Sequence, residues 1–488
     1  MKNSPFFWMC MGLMAITIVR VAIAANIPLS PDEAYYWIWS QRLDYSFYDH
    51  PPMVALWIKA GCFLWGNTAL GIRFFGAVAA LLGSIFIYFA TFDFSGSLLN
   101  QQSKKNAIYA VLALNATLAV GVGSVTMTPD TPLLFFICMF LWACGRLLRT
   151  QIPQWWWMIG VSVGLGLLSK YTMLLPVMGL GIWCFLTPQG RSYLKSKELW
   201  GGAVVSCLVF SPVIFWNAHH QWISFLKQGG RAGDWRPVRA VQFLSELLGG
   251  QIGLSTPVLF ICFCLGFAYL TRNVLKTRDQ KSLLLWLMVF IPICIFVQHA
   301  IGDRVQANWV GILYPFLAII VAVYSHKFLK VGIIVGFLLV IPIYVQAAFA
   351  LFPVPPKLDI TLKRLGGWQN FSQTLNRQVP SDQSIFTDEY GLGAEMAFYI
   401  PKRHIISVDQ RWKYFKKNDD SNEQKGYGCL VRTQRRKDQP SSAYFKDIQK
   451  VGEIKRLRNN QTAEVYTLYK VRLINNIGQD TMLLPSAQ

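Results

Sequence analysis

The chain has 488 residues, of which 53% are hydrophobic and only 15% are charged, and its mean hydropathy is +0.35. Soluble domains carry about 25% charged residues, so this composition excludes a wholly soluble protein and indicates an integral membrane protein. The formal net charge of +21 indicates contact with anionic membrane lipids or phosphate groups rather than with nucleic acid.

Eleven apolar segments follow one another along the chain and predict about eleven transmembrane helices. Most of them approach the ~20 residues that are needed to cross a hydrocarbon core of ~30 Å. The first is predicted to be retained, because no small-residue signal-peptide cleavage site follows it and many further segments do. The segments lie near residues 6–25, 68–92, 106–123, 131–148, 153–169, 171–187, 200–216, 252–271, 282–300, 309–325 and 331–351. They predict an all-α polytopic membrane domain over residues 1–352.

Basic residues in the short loops predict the orientation of these helices, since Lys and Arg concentrate on the cytoplasmic side. With a cytoplasmic N-terminus, every second loop is basic, and the alternation holds across the eleven segments. The loops at 26–67, 124–130, around 170, 217–251 and 301–308 then lie outside, together with the C-terminal tail. In a bacterium this side of the inner (cytoplasmic) membrane is the periplasm.

The tail begins after the proline-rich linker at 352–356 and has a different pattern from the rest of the chain. Short segments of β-type sequence at 384–387, 404–408, 429–433 and 463–469 alternate with helical stretches such as 391–399. This pattern predicts a small, soluble α/β domain over residues 353–488.

The first outer loop, 26–67, is too long and too aromatic to be only a connector. It contains Ser30-Pro31-Asp32-Glu33, which has the order of a helix start, with Ser30 as cap, Pro31 at the first helical position and Glu33 completing a capping box. One interpretation is therefore structural, with the aromatic run at 35–39 forming a helix in the membrane interface. The other is that Asp32 takes part in acid–base chemistry.

A second acid has the same setting. Thr128-Pro129-Asp130 again has the order cap, proline and acid, and it precedes the fourth apolar segment on the predicted outer side. A helix start needs only one such acid and does not require a partner for it. Ionisable groups at membrane depth are costly and indicate function, so Asp32 and Asp130 together favour general acid–base work.

Two further loop motifs contain possible metal ligands. Asp49 and His50 precede two prolines and could simply cap the next helix, while His219 and His220 lie between tryptophans and could belong to an interfacial belt. Alternatively, Asp49 and one of the two histidines could bind a divalent metal, zinc, magnesium or manganese.

Five cations in the outer loops form the last set of candidates. Each could separately anchor lipid headgroups, but together they describe an anion site, because guanidinium and ammonium groups match phosphate oxygens. They are Lys170, Arg231, Arg236, Arg239 and Arg304.

These motifs, taken in order over about residues 25–350, resemble the bacterial members of the dolichyl-phosphate-mannose–protein mannosyltransferase superfamily. This GT-C glycosyltransferase group includes the aminoarabinose transferase that acts on lipid A. The motifs are Asp32-Glu33-Ala34-Tyr35-Tyr36-Trp37, Tyr48-Asp49-His50-Pro51-Pro52, Thr128-Pro129-Asp130-Thr131-Pro132 and the segment from Trp216 to Trp222.

The resemblance implies a GT-C fold and a sugar donor linked to undecaprenyl or dolichyl phosphate. It implies that Asp32 is the general base, that Asp130 is a second acid near the reacting centre and that Glu33 orients the first loop or the donor. The other implied roles are metal binding by Asp49 and His220, and binding of the donor phosphate by Lys170, Arg231, Arg304 and His50.

The chain departs from the aminoarabinose transferases at two of these positions. His50 stands where they place a lysine, which puts phosphate binding there in doubt. Asp49 replaces a glutamate and has a shorter reach, which puts the metal ligand in doubt. A proline common before Arg304 is also missing.

The resulting hypothesis is a membrane glycosyltransferase with an envelope acceptor, for which lipid A or lipopolysaccharide is favoured over a protein hydroxyl. Two alternatives from other classes are a lipid or sugar-lipid transporter and a non-catalytic envelope assembly protein. A transporter predicts interrupted spans in two matching halves, and no such symmetry is visible in the sequence. An assembly protein predicts that neither Asp32 nor Asp130 affects any sugar product.

Overall fold

The computed structural model describes residues 5–96, 100–230, 237–325, 327–415, 426–474 and 480–485. The chain folds as two compact units. The first contains Asp49–Val54 and Phe74–Pro342 together with the N-terminal segment up to Ala22. The second contains Ile23–Tyr48, Ala55–Arg73 and the chain from Ile343 onward.

The secondary structure is mostly helical. In chain order the helices are α1 Pro5–Asn26, α2 Pro31–Gln41, α3 Met53–Trp65, α4 Ala69–Ser95, α5 Gln101–Asn115, α6 Leu118–Gly123, α7 Asp130–Thr150, α8 Trp155–Ser169, α9 Leu174–Leu186, α10 Pro188–Tyr193, α11 Lys197–His219, α12 Ile223–Gly230, α13 Ala240–Ser255, α14 Pro257–Thr277, α15 Gln280–Gly302, α16 Tyr314–Tyr324, α17 Leu329–Phe349, α18 Ile360–Leu365, α19 Trp368–Gln378 and α20 Tyr390–Tyr399.

Within the described residues, eight helices are long and apolar enough to cross a membrane. They are α1, α4, α7, α11, α14, α15, α17 and the helical stretch Ala307–Tyr324 that contains α16. The fifth and sixth predicted segments form the shorter apolar helices Trp155–Ser169 and Tyr171–Leu186. The chain is therefore a polytopic membrane protein, while the number eleven stays a prediction.

The third predicted segment, 106–123, is not one continuous helix. It divides into α5 and α6, and the hydroxyl of Thr117 caps the start of α6 by accepting a hydrogen bond from the backbone N–H of Val120. A local cap therefore starts a new helix inside a segment that hydropathy alone treats as uniform.

Small residues allow the helices of the first unit to pack closely. A Cβ atom placed on Gly160 of α8 would lie 2.0 Å from the carbonyl oxygen of Gly202 in α11. This contact is possible only without a side chain and is typical of helix pairs in membranes, where small residues let two backbones approach.

The C-terminal part of the second unit contains the predicted α/β domain. Its strands are β1 Ser384–Thr387, β2 Ile405–Val408, β3 Tyr427–Thr433, β4 Phe445–Arg458, β5 Gln461–Leu473 and β6 Thr481–Leu483. They form one six-stranded sheet of order β4-β5-β3-β1-β2-β6. Strand β1 is parallel to both of its neighbours, and the outer strands are antiparallel. The predicted boundary at residues 352 and 353 stays a prediction.

Helix α2 contains the aromatic residues that predicted an interfacial helix. Every residue from Glu33 to Ser40 is buried, and the burial occurs within the second unit. The ring of Tyr35 lies 5.7 Å from that of Trp412, and the ring of Trp37 lies 5.2 Å from that of Phe398. The aromatic side chains of α2 therefore pack against protein, which an aromatic run suits as well as a membrane boundary, and the interfacial position of the helix stays a prediction.

Candidate active site

Asp32 lies in the first turn of α2, at a helix start that is fully capped without it. The Ser30 hydroxyl accepts a hydrogen bond from the backbone N–H of Glu33 at 3.4 Å, and the Glu33 carboxylate accepts one from the backbone N–H of Ser30 at 3.0 Å. The predicted capping box is confirmed. Because Ser30 and Glu33 complete it, the half-buried Asp32 is not needed for the cap, and its Oδ1 accepts a hydrogen bond from the Tyr390 hydroxyl at 3.0 Å.

Glu33 has a second partner, the fully buried guanidinium of Arg73. Nε and Nη2 of Arg73 donate to the two carboxylate oxygens of Glu33 at 2.6 and 2.7 Å. The same guanidinium donates to the carbonyl oxygens of Ala24, Ile27 and Pro28. This pair joins the start of α2 to the start of α4 and to the chain before α2, and the orienting role implied for Glu33 stays a prediction.

Asp130 begins α7, but the local structure differs from the prediction. The cap position is occupied by Pro129, which makes no side-chain cap bond, and Thr128 instead donates its backbone N–H to the hydroxyl of Thr131. The prediction that Thr128 caps this helix is therefore wrong. At the start of α7, the helix dipole stabilises the negative charge of Asp130.

Both carboxylate oxygens of Asp130 are bonded to other parts of the first unit. Lys170 Nζ donates to Oδ1 at 2.7 Å, and Asn308 Nδ2 donates to Oδ2 at 2.7 Å. Lys170 is buried, and its Nζ lies 6.0 Å from the centre of the Trp309 ring. The structure therefore brings two predicted site residues, Asp130 and Lys170, into one ion pair.

Asp49 and His50 lie close to this ion pair in the first unit. The Asp49 carboxylate forms an ion pair with Lys227 of α12, and its backbone carbonyl accepts from Gln228. Burial, and next the positive charge of Lys170, lowers the pKa of His50 to about 3, and Asp49 and Asp130 oppose this shift. The imidazole is therefore neutral at pH 7 and can hydrogen-bond to a phosphate but cannot supply a charge to it.

His220 follows the end of α11 and makes local contacts. Its Nδ1 lies 2.7 Å from the carbonyl oxygen of Trp216, and its ring stacks on the indole of Trp216 at 4.0 Å. Over the described residues, no group of three or more His, Cys, Asp and Glu side chains is arranged to hold a metal ion. The ammonium group of Lys227 on Asp49 also opposes a second cation. These residues therefore do not fit the divalent metal that the resemblance implied.

Two of the predicted arginines, Arg239 and Arg304, lie in the described residues, and both are exposed. Arg304 is exposed and pairs with Glu246 at 2.7 Å, an interaction that costs little to exchange for an anionic ligand because exposed ion pairs contribute little. Arg239 is also exposed and lies over the ring of Phe243. Arg231 and Arg236 lie outside the described residues.

Four residues in these contacts were not predicted as site residues. Arg73 could have been noticed as a single charge within an apolar segment, and Asn308 as a polar residue that directly precedes the tenth apolar segment. For Lys227 and Tyr390 the sequence contains no signal, since their partners Asp49 and Asp32 are 178 and 358 residues away.

Comparisons with known proteins agree with the motifs. Residues 49–216 match the family model described as dolichyl-phosphate-mannose-protein mannosyltransferase. The lipid A galacturonosyltransferase RgtD of Rhizobium johnstonii is 27% identical over 289 residues, which are 58% of this chain and 58% of that protein. The undecaprenyl phosphate-alpha-4-amino-4-deoxy-L-arabinose arabinosyl transferase of Erwinia tasmaniensis is 25% identical over 231 residues, 44% of this chain and 40% of that protein.

The fold is also that of a solved structure. The crystal structure of ArnT from Cupriavidus metallidurans bound to undecaprenyl phosphate matches with a TM-score of 0.64 and 13% identity, over 98% of this chain and 99% of that one. The chain is thus a polytopic membrane protein with a GT-C fold and a small C-terminal sheet domain. Over residues 49–216 it is similar to the dolichyl-phosphate-mannose-protein mannosyltransferases, in agreement with the superfamily that the ordered motifs indicated.

Proposed function

We propose that the chain is a membrane glycosyltransferase that moves a sugar from a polyprenyl-phosphate donor to a lipid acceptor of the bacterial envelope, lipid A or lipopolysaccharide. A protein hydroxyl is the second acceptor class. The observation that carries the proposal is the state of Asp32, a half-buried carboxylate at a helix start whose cap is complete without it. The matched relatives, which the chain covers over 58% and 40% of their lengths, are named as a galacturonosyl and an arabinosyl transferase.

The proposed reaction is a single displacement at the anomeric carbon of the sugar. Asp32 takes the proton of the acceptor hydroxyl while the acceptor oxygen forms its bond to the anomeric carbon. The bond between that carbon and the phosphate oxygen breaks, and polyprenyl phosphate leaves with the electron pair. Lys170, whose ammonium group is held by Asp130, is the proposed cation that stabilises the charge on the leaving phosphate.

The proposed roles of the remaining residues follow from their contacts. Asp130 holds Lys170 in place through one oxygen and Asn308 through the other. His50, neutral at pH 7, donates a hydrogen bond to the donor phosphate rather than a charge, and Arg231 and Arg304 are the additional phosphate-binding cations that the sequence predicts. The metal-ligand roles of Asp49 and His220 enter no step.

The proposed location is the bacterial inner membrane, with the N-terminus in the cytoplasm. The outer loops and the C-terminal domain then lie in the periplasm. The alternation of basic and non-basic loops along the sequence supports this orientation.

The decisive test is the Asp32→Ala variant, assayed for transfer in isolated membranes. We expect transfer to fall by about 10²–10⁴-fold, the usual contribution of a general base, with an unchanged protein level. Mass spectrometry of lipid A and of envelope glycoproteins from cells with and without the chain identifies the acceptor.

Ser30→Ala is the matched control, because it removes the cap and leaves the acid. It should lower stability by about 1 kcal/mol without changing the rate of transfer. Normal transfer by Asp32→Ala would leave Asp32 with a structural role only and would refute the proposed mechanism. An unchanged set of envelope glycans in cells without the chain would favour a transporter or an assembly protein.

A further inference from the structure

The C-terminal sheet has an edge at which ligand-binding groups gather in many α/β proteins. Strands β1, β2 and β3 are parallel, and β1 lies between the other two. The chain passes from β1 to β2 on one side and then to β3 on the other, so the strand order reverses at β1. In open α/β sheets, functional groups collect beyond the carboxyl ends of the strands at such a reversal.

In this protein, the start of α2 lies at that edge. Helix α20 begins at Tyr390, three residues after the end of β1. The hydroxyl of Tyr390 donates a hydrogen bond to Oδ1 of Asp32 at 3.0 Å. The ring of Tyr390 packs edge-on against Tyr35, with 4.7 Å between the ring centres. A Cβ atom on Gly391 would lie 2.8 Å from Cβ of Pro31. The acid and its helix start are thus held directly against the carboxyl edge of the sheet, within the second unit.

Residues that follow the other two parallel strands fix Tyr390 in this position. The guanidinium carbon of Arg411 lies 4.0 Å from the centre of the Tyr390 ring, and Asp409, which follows β2, accepts hydrogen bonds from Arg411 at 3.1 and 3.2 Å. Glu389, just before Tyr390, accepts from the backbone N–H of Thr433 at the end of β3. The orientation of the phenol therefore depends on all three parallel strands.

We propose that the C-terminal domain contributes a positioning residue to sugar transfer, and that this residue is Tyr390. The inference rests on the proposed function, in which Asp32 is the general base. The hydroxyl of Tyr390 holds Oδ1 and thereby sets the plane of the carboxylate, and Oδ2 accepts the proton of the acceptor hydroxyl as the acceptor oxygen bonds to the sugar and polyprenyl phosphate departs. Tyr390 itself neither gains nor loses a proton in this step.

The test is the Tyr390→Phe variant of the full chain in membranes, because it removes one oxygen and keeps the ring that contacts Tyr35 and Arg411. We expect kcat to fall about tenfold, the size of one lost hydrogen bond to a charged group. The KM for a synthetic polyprenyl-phosphate sugar should not change, and neither should the temperature of thermal unfolding.

Tyr427→Phe is the matched control. It removes a hydroxyl of the same kind, which donates to Asp447 at 3.1 Å on an exposed part of the same sheet, and its kcat should equal that of the unaltered protein. Arg411→Gln, which keeps the Tyr390 hydroxyl but removes the cation over its ring, should lower kcat by a smaller factor. It provides a second measurement if Tyr390→Phe accumulates poorly.

The outcomes separate this inference from the proposed function. If the unaltered chain transfers sugar, Asp32→Ala does not, and Tyr390→Phe has unchanged kcat, the role of Tyr390 is overturned and the proposed function stands. The role is equally overturned if Tyr427→Phe loses as much activity as Tyr390→Phe, or if only KM rises. If the unaltered chain transfers no sugar to any envelope acceptor, the proposed function fails and the inference fails with it.

Discussion

Arg73 shows how a single charged residue is accommodated within an apolar helix. Its guanidinium is fully buried and donates five hydrogen bonds, two to Glu33 and three to backbone carbonyl groups. Burying an ion pair gives little net stability, because both charges lose their hydration, but breaking such a pair leaves one buried charge without a counter-ion. The pair therefore fixes the position of α2 more than it adds to overall stability.

Glu33→Ala should consequently destabilise the protein strongly. We expect a loss of about 3–5 kcal/mol, because the variant leaves the buried Arg73 charge uncompensated. Thermal unfolding of the purified protein in detergent measures the loss, and the double variant Glu33→Gln with Arg73→Met should recover part of it. If Glu33→Ala were no less stable than Ser30→Ala, the pair would not have the role assigned to it.

The lowered pKa of His50 predicts how the free energy of unfolding depends on pH. Its folded-state pKa is about 3, below the ordinary value of 6.5, because burial and the neighbouring Lys170 disfavour the charged ring. Between these two values the unfolded chain binds a proton that the folded chain does not, so stability falls as the pH falls through this window.

His50→Gln should reduce this dependence on pH. Unfolding temperatures measured between pH 7 and pH 4 should fall less steeply for the variant than for the unaltered protein, while the two should differ little in slope above pH 7. Equal slopes below pH 6.5 would mean that His50 is protonated in the folded protein and is not the neutral group assigned here.

The packing of α2 on α20 is the contact between secondary-structure elements that positions Asp32. Gly391 lies against Pro31 at a distance that leaves no room for a Cβ atom, so the first turn of α20 packs directly on the proline ring at the start of α2. The same contact places Tyr390 within hydrogen-bonding distance of Asp32. A shift of α20 away from α2 would therefore also move the Tyr390 hydroxyl away from Asp32.

Gly391→Ala tests that coupling. The added methyl group must push the helices apart, because its Cβ would lie 2.8 Å from that of Pro31. We expect a loss of about 1–3 kcal/mol from overpacking and a lower kcat, since the Tyr390 hydroxyl moves away from Asp32. Gly452→Ala is the control, as nothing lies within 4 Å of the added atom there. Equal stability and kcat for the two variants would argue against close packing of α2 on α20.

Local sequence predicted most of the C-terminal elements but not the longest strand. Residues 384–387 coincide with β1, and 404–408 and 391–399 each differ by one residue from β2 and α20. These segments are buried and have a clear apolar pattern. Strand β4 is mostly exposed and rich in lysine, and it forms only because β5 offers it hydrogen bonds, so no pattern of its own side chains indicated it.

At the scale of the whole molecule, the alternation of basic loops makes a prediction about sidedness. The C-terminal domain should face the periplasm and the loop after α14 should face the cytoplasm. Ser441→Cys and Thr277→Cys place a thiol at an exposed position of each. A membrane-impermeant maleimide should label the first variant in intact spheroplasts and the second only after lysis, relative to the unaltered chain. Labelling in the reverse order would invert the assigned orientation.

The membrane class, the α/β tail and the similarity to a known superfamily could be read from the sequence, because they depend on local properties. Hydropathy over about 20 residues predicts a membrane helix, and a serine, a proline and a glutamate in the right order predict the helix start of α2, which the structure confirms. The same local reasoning could not decide whether the aromatic side chains of α2 contact lipid or protein, since both environments favour them.

Only the tertiary structure decided which groups meet. The bonds from Tyr390 to Asp32 and from Asn308 to Asp130 join residues that are 358 and 178 positions apart, and Asp49 forms an ion pair with Lys227. Such pairs leave no local pattern, because the spacing of two residues along a chain says nothing about their distance once long helices reverse direction between them. The sequence by itself determined the acids and the class of protein, and the packing of helices and sheet determined the hydrogen-bond and ion-pair partners of those acids.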